Sequence, residues 1–517
     1  MLLTTLGERD GKIMLVSKAK NSDGILPYGS YITVQDNDKR FILRVEDSSQ
    51  LNSYEISPAV SDMNLKPLLQ DQSVKNIIYA VRIKEIPERE DGLYSYIKPL
   101  LEGRRSTQQE IDYVIGKNEG VPVFLATTYA YDCQVLKDED KKPIHINLPE
   151  DFFFHQTVIA GATGSGKTAA MKYLAQYFVE NLEKYNGPGA VLAINVKEED
   201  LLYMDKPTKT NREEVKKEWE SLALQPHGVL AFRIYYPGNE EPKYSPKVER
   251  SKCKPITIKT KNLDPDSLIG IVQNLSAIGA EQIVDIFRWW KRDNEDRGGN
   301  ITMSDFIAYL NDPKKDRQFN VLNKNGNENF VKLHPGTLQS LINSLTAASK
   351  YFDAEGANEL SAKDILQRGT MSVIDISQKG ALGFGSVFLR DILNKIYEAK
   401  TSGDQTNVPI LILIDEVHEF YSESRSREAL ETIDAIARKG RSLGIGVIFS
   451  SQNVEDIPSG ILKMVNSEIY FKGAKSKTGN KNINEEALRA GFAKVRIHGL
   501  SFVNLVKFPL PLGGLYE

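Results

Sequence analysis

An α/β protein with a largely parallel sheet is predicted by three features of the 517-residue sequence. Short, unalternated apolar runs recur at 157–160, 189–195, 371–376, 410–414 and 445–451, the pattern of strands buried on both faces. Helical periodicity lies between them, as at Met171, Leu174, Ala175, Phe178 and Leu182. The octapeptide Gly161-Ala162-Thr163-Gly164-Ser165-Gly166-Lys167-Thr168, set between the first run and that helix, fits G-x-x-x-x-G-K-[ST] at each fixed position.

The stretch ahead of this core reads as β-rich. Residues 31–34 and 41–45, joined through Asp36, Asn37 and Asp38, have the composition and turn chemistry of a hairpin. Runs at 76–83, 121–128 and 143–146 continue the series, and short strands with few helical patterns between them predict a small barrel or sandwich over 1–148. Gly103-Arg104-Arg105 reads as a solvated turn, with phosphate contact as the alternative.

The first part of the core is expected over 149–261, with 226–255 as inserted chain because prolines and glycines break it. Ile283, Ile286, Phe287 and Trp290, then Leu338, Leu341, Ile342 and Leu345, predict a helical insert over 262–365, in which Trp289 and Trp290 pack between helices. The core resumes over 366–475, with a helix through Leu389, Ile392, Leu393 and Ile396. The end, 476–517, carries Pro509, Pro511, Gly513 and Gly514 and is expected to be an extended arm that braces a neighbouring chain or hangs loose.

The octapeptide's glycines let successive backbone N–H groups wrap a phosphate, and the helix N-terminus behind them favours an anion. Lys167 is placed to reach the β- and γ-phosphates of ATP, and the Thr168 hydroxyl to hold Mg2+. The run 410–414 ends in Asp415 and Glu416, where ligands sit in a parallel sheet. Asp415 is expected to hold the hydration shell of Mg2+ and Glu416 to orient the attacking water. Gln452, at the end of the next run, is placed to sense the γ-phosphate or to position water. Arg438 or Arg441 is the candidate arginine finger, acting in trans; a helix C-terminus that favours cations is the competing account of each. A guanine-reading Asn-Lys-x-Asp element is not met, since Asn323-Lys324-Asn325-Gly326 and Asn480-Lys481-Asn482-Ile483 both fail at the last position.

Composition limits the partners. The 41 % apolar and 26 % charged content is that of a folded globular chain, and 517 residues predict two or three domains. No apolar run reaches the roughly 18 residues of a membrane helix, and residues 1–9 lack a basic leader, so a cytoplasmic protein with no membrane contact is expected. Cys133 and Cys253 lie outside any C-x-x-C spacing, which argues against a disulfide framework or a zinc site. A net charge of -3 gives no overall basic footprint for nucleic acid. Lys206, Lys209, Arg212, Lys216 and Lys217 are interrupted by Glu213 and Glu214 and read as a solvated helix face.

His155, the octapeptide 161–168, Leu-Ile-Asp-Glu-Val-His-Glu-Phe at 413–420, Arg-Lys-Gly-Arg-Ser-Leu-Gly-Ile-Gly at 438–446 and Ser-Ser-Gln at 450–452 together resemble the HerA branch of the HerA/FtsK ATPases. The resemblance covers most of the chain and implies an N-terminal small β-barrel, a RecA-like P-loop core with an inserted helical bundle, and a C-terminal arm. It further implies a hexameric ring, a homo-oligomer that moves double-stranded DNA as a translocase or helicase and works with a nuclease or other effector, in some relatives in antiviral defence. A ring that assembles and activates an effector, with little translocation, is the alternative. At Asn195-Val196-Lys197-Glu198-Glu199 the chain departs from the family's Asp-x-Lys-Gly-Glu-like turn, so a metal or phosphate role is not carried over to position 195, while Glu199 matches the acidic position.

Overall fold

The computed structural model describes residues 3–17, 26–52, 74–88, 95–116, 119–129, 132–239, 241–271, 277–377, 382–403, 407–420, 436, 439–474 and 487–516. Alternation in the N-terminal strands puts one face inward. β1 (Leu3–Arg9), β2 (Lys12–Ser17), β3 (Tyr31–Asp36), β4 (Lys39–Asn52), β5 (Val74–Ile86) and β6 (Glu102–Arg105) close into a barrel in the order β1-β2-β5-β4-β3-β6. Leu3, Leu15, Ile32, Val34, Phe41 and Leu43 fill it. Helix α1 (Gln108–Ile115) follows, its N-terminus fixed by a capping box between Thr107 and Glu110. Gly103-Arg104-Arg105 is part of strand β6 and not a solvated turn: Arg104 donates two bonds to Glu110, at 2.9 and 2.7 Å, and Arg105 bonds the Lys137 carbonyl.

The barrel uses none of the later strands assigned to it from sequence. β7 (Gly120–Tyr129), β8 (Asp132–Val135) and β9 (His145–Pro149) join the large sheet, whose antiparallel edge they extend. Strand character was legible there; the partner was not, because pairing across hundreds of residues leaves no local mark.

The sheet continues through β10 (Thr157–Ala160), helix α2 (Lys167–Glu180), β11 (Ala190–Asn195), helix α3 (Glu213–Ser221), β12 (Ala231–Pro237) and β13 (Cys253–Thr257). β12 and β13 correct the expectation of inserted chain over 226–255: both are parallel members of the sheet, β12 beside the core and β13 next to the edge. Their prolines are tolerated because Pro237 closes β12, while Pro255, in the middle of β13, precedes the only two residues that β16 pairs, Ile256 and Thr257, and so lies on an edge there.

The segment after β13 is mainly helical, with α4 (Ala277–Asp296), α5 (Met303–Leu310) and α6 (Pro335–Ser349), and it also holds an unforeseen hairpin of β14 (Gln318–Leu322) and β15 (Glu328–Lys332). The Asn323-Lys324-Asn325-Gly326 element is the turn of that hairpin, with Gly326 at φ 82°. Trp290, 3 % exposed, packs against Phe287 and Phe306 at ring distances of 5.8 and 5.0 Å, and Trp289 stacks on Tyr309, so both serve helix packing.

β16 (Asn358–Glu359), β17 (Thr370–Asp375), α7 (Leu382–Thr401), β18 (Ile410–Ile414), β19 (Ile445–Ser451), β20 (Ser467–Tyr470), β21 (Phe492–Arg496) and β22 (Leu505–Lys507) complete the sheet. Its order is β16-β13-β12-β17-β11-β18-β19-β10-β20-β21-β22-β7-β8, with β9 on β7, and it is parallel from β16 to β20. The fold is thus α/β, a largely parallel sheet with a P-loop between β10 and α2, together with a closed barrel. Both faces of the sheet are buried: Val158, Ala160, Leu192 and Ile194 pack under α4 to α7, while Ile159, Val191 and Ala193 pack against α2. No helix among the described residues is long and apolar enough to cross a membrane.

The described part of the C-terminal stretch is neither loose nor turned away from its own chain. β21 and β22 are sheet strands, and beyond them the backbone bonds residues 206–209 through Thr208 N to Leu512 O at 2.8 Å and Gly514 N to Lys206 O at 2.9 Å. Trp290→Ala is expected to destabilise the helical segment by about 3–5 kcal/mol, the usual loss on emptying a buried aromatic site, whereas Trp290→Phe retains most of the packing. Urea unfolding followed by circular dichroism checks this.

Candidate functional site

Four neighbouring parallel strands, in the order β11-β18-β19-β10, deliver their carboxyl ends to one place. Register aligns them: Ile194 pairs with Ile414, Ile414 with Phe449, and Ala160 with Ser451, so the residues that follow each strand emerge together. Gly161 to Gly166 turn from β10 into α2, Asp415 and Glu416 leave β18, Gln452 leaves β19, and Lys197 follows β11. A cleft of about 820 Å3 lies over them.

The loop's shape requires its glycines. Gly164 has φ 76° and Gly166 φ 102°; at Gly161 an added Cβ would stand 2.6 Å from the Phe471 Cβ. Gly166 is the N-cap of α2, so the helix's free N–H groups face the cleft without a side-chain cap. Ser165 Oγ is buried with no hydrogen-bond partner. Together these make an anion cradle of the form that holds phosphate. Lys167 and Thr168, the first residues of α2, both line the cleft beside Asp415, so the donor set that a hydrated Mg2+ needs is in reach of one site.

Glu416 is the most constrained side chain there. Its backbone lies in the left-handed region at φ 46°, and its carboxylate is 2 % exposed. Oε1 accepts from Lys197 Nζ and from Gln452 Nε2 at 3.2 Å, and lies 3.6 Å from Lys167 Nζ. Oε2 is buried without a hydrogen bond, 3.5 Å from His418 Nδ1. Burial pushes the Glu416 carboxyl up, but the Lys197 bond, the Lys167 charge and the Gln452 bond outweigh it and hold the group below its ordinary value. Asp415 goes the other way: burial dominates over the pull of Lys167 and raises it. Its Oδ1 accepts the Glu416 N–H at 3.0 Å, which fixes the carboxylate as the strand ends.

Other sequence candidates lie elsewhere. Arg441 is exposed at the amino-terminal edge of the sheet, just ahead of β19, in a hollow with Asp151, Lys184 and Tyr185, and so stands at the opposite end of the strands from its own chain's Lys167. Arg438 and the Asn480 to Ile483 element lie outside the described residues. His155 stacks on His498 at 3.7 Å, away from the cleft. Asn195 turns to Asp375 Oδ1 at 2.8 Å, and Glu199 accepts from the Ser245 backbone N–H at 2.6 Å and from its hydroxyl, so neither enters the cleft. Lys206 pairs with Glu249, Lys216 with Glu213, and Lys209 lies over the Tyr516 ring. Arg212 instead lines the cleft.

The far wall was not foreseen. Arg489, Gly491, Phe492, Phe508 and Leu510 form much of it, facing the phosphate cradle from the C-terminal part of the chain. Gly491 N donates to Ser165 O at 3.0 Å, and a Cβ on Gly166 would stand 2.6 Å from Gly491 N. Trp219 Nε1 on α3 donates to Leu510 O at 2.9 Å, and the buried Lys172 on α2 donates to Gly514 O at 2.7 Å. Only strand pairing brings these segments together, and glycine and aromatic residues in a tail carry no signal for it. Deleting 510–517 removes the acceptors of both Trp219 and Lys172; the melting temperature is expected to fall by several degrees, measured by differential scanning calorimetry.

The family model described as Helicase HerA-like C-terminal matches residues 133–472, well over half of the chain. The DNA double-strand break repair helicase HerA of Saccharolobus solfataricus is 28 % identical over 121 residues, 22 % of this chain and 24 % of that protein. The protein of the same description from Sulfurisphaera tokodaii is 24 % identical over 174 residues, 29 % of this chain and 35 % of that protein. The matched stretch thus spans only about a quarter to a third of those relatives' length. Among solved structures, the bacterial conjugative coupling protein TrwBdeltaN70 aligns over 78 % of this chain and 97 % of its own at 12 % identity and a TM-score of 0.45. VirB4 of Thermoanaerobacter pseudethanolicus aligns over 77 % and 97 % at 11 % identity and a TM-score of 0.44. With its P-loop, its Asp415-Glu416 turn and the extent of the family match, the chain belongs to the family of HerA-like helicase C-terminal proteins.

Proposed function

We propose that this protein is a cytoplasmic ATP-driven DNA motor, a translocase or helicase that works as a hexameric ring on double-stranded DNA with a nuclease or other effector, in anti-phage defence. The observation that carries the reading is the convergence of Lys167, Thr168, Asp415, Glu416 and Gln452 on one cleft at the ends of four adjacent strands. Membership of a family described as helicase supports the DNA substrate.

In this account the loop 161–166 and the N-terminus of α2 hold the phosphates, with Lys167 on the β- and γ-phosphates. Thr168 and Asp415 would hold Mg2+, which would supply positive charge to offset that of the phosphate oxygens. Glu416 orients water, with Gln452 fixing the carboxylate from the next strand. The water oxygen attacks the γ-phosphorus and the bond to the β–γ bridging oxygen breaks. ADP and inorganic phosphate leave, the water's proton passing by way of Glu416 to phosphate. Arg441 lies at the wrong edge of the sheet to serve its own chain, so in a ring it serves a neighbour's cleft; Arg438 is the alternative finger.

A second reading, a ring that assembles and regulates an effector with little translocation, is favoured by one observation. Of the five basic residues at 206–217, Lys206, Lys209 and Lys216 are engaged within the chain, which weakens that segment as a surface for DNA.

Steady-state ATPase with and without duplex DNA at fixed salt separates the two. Several-fold stimulation by DNA is expected; activity that ignores DNA sinks the motor and leaves the effector-regulating ring. Lys167→Ala is expected to lose nucleotide binding, and Glu416→Gln to bind ATP with turnover reduced by about 10²-fold or more, in line with loss of a positioned base; wild-type turnover in Glu416→Gln overturns the assignment. Mixing Arg441→Ala with Lys167→Ala subunits is expected to restore part of the activity, because some interfaces then combine an intact P-loop with an intact arginine. No recovery in rings verified as mixed rules out Arg441 in trans.

A further inference from the structure

Lys197 has no role in the reading above, yet it makes the closest contact with the proposed base. The turn after β11 carries its ammonium to Glu416 Oε1, and its side chain, 44 % exposed, also lines the cleft. Oε1 is therefore shared by Lys197, Gln452 and the nearby Lys167, while Oε2 is buried and makes no hydrogen bond. A carboxylate oxygen has two lone pairs in its plane, so an oxygen engaged in this way has no good direction left for water. Two ammonium groups also face one glutamate, with Asp415 adjacent, in a site where an arriving triphosphate adds negative charge.

On that basis, and resting on the proposed ATPase reading, we propose that Lys197 is a γ-phosphate-sensing and positioning residue. Without nucleotide its ammonium holds Glu416 Oε1; with ATP bound the ammonium moves to a γ-phosphate oxygen and frees Oε1 to accept from the attacking water. The exposure of Lys197 gives its stem room to swing, whereas Glu416 is fixed by its buried position and the backbone of its turn. Glu416 is thus withheld from water until the third phosphate arrives. ADP lacks the group that draws Lys197 away, so it leaves the latch closed.

The test is the ratio of ADP to ATP dissociation constants, measured by calorimetry with Mg2+ on the full chain in the Glu416→Gln background and in the wild type with non-hydrolysable ATP analogue. Lys197→Met is expected to leave ADP affinity within about twofold and weaken binding of the triphosphate by about tenfold, the worth of one charge-assisted contact. Lys197→Arg is expected to keep most of the preference for triphosphate. In steady state Lys197→Met should lower kcat and raise KM together. An unchanged ratio in Lys197→Met, or equal weakening of both nucleotides, overturns the proposal, because a residue that only supports the fold cannot distinguish ATP from ADP. Should Lys197→Met unfold, Lys197→Gln with the same two titrations decides. Lys167→Met is the control: if it binds both nucleotides as the wild type does, the cleft is not the nucleotide site and the parent reading fails, which is a different result from an unchanged ratio.

Discussion

The arrangement depends on one buried carboxylate. Glu416, at the end of β18, is almost wholly removed from water and kept charged by Lys197, Lys167 and Gln452, which arrive from three other elements. A buried charge is costly unless it is paired and hydrogen-bonded, so each of these contacts ties its own strand end to the same point. The register of β11, β18, β19 and β10 makes that possible, since a one-residue slip would send each polar end group to the wrong face. Asp415, one residue earlier, is raised by burial while Glu416 is lowered, so adjacent carboxylates have opposite tendencies set by what surrounds them.

A second constraint comes from the end of the chain. The P-loop is backed by β10 and α2 on one side and closed on the other by Gly491, Phe508 and Leu510. Gly166 must be glycine for its positive φ and for the approach of the Gly491 backbone, so one position serves both the cradle and its cover. Trp219 and Lys172 fasten the following residues through backbone carbonyls. The C-terminal segment is thereby part of the cleft of its own chain, and changes in that cleft are coupled to the antiparallel half of the sheet.

The features legible in the sequence were those with local physical signatures. The octapeptide, the carboxylate pair after an apolar strand and the runs of β11, β17, β18 and β19 each show in a few consecutive residues, and the structure brings Lys167, Asp415, Glu416 and Gln452 together. The hairpin at 318–332 has a polar turn, Asn323 to Gly326, flanked by strands with little apolar alternation, so it has no strong local mark. β12 and β13 are masked by prolines, which the end of β12 and the one-sided part of β13 accept. β7 and β9 were recognised as strands yet assigned to the wrong layer, since their partners are decided by tertiary packing. The role of Lys197 is not legible locally, because nothing in Asn195 to Glu199 indicates that the lysine reaches across to a residue more than two hundred positions away.

The central claim is that this cleft, closed by the chain's own C-terminal segment, is a nucleoside triphosphate site completed by Mg2+. The most direct measurement is a calorimetric titration of the full chain with a non-hydrolysable ATP analogue, with and without Mg2+. The account predicts saturable binding at one site per chain, tighter when Mg2+ is present. No binding in either condition, or binding that Mg2+ leaves unchanged, would contradict it.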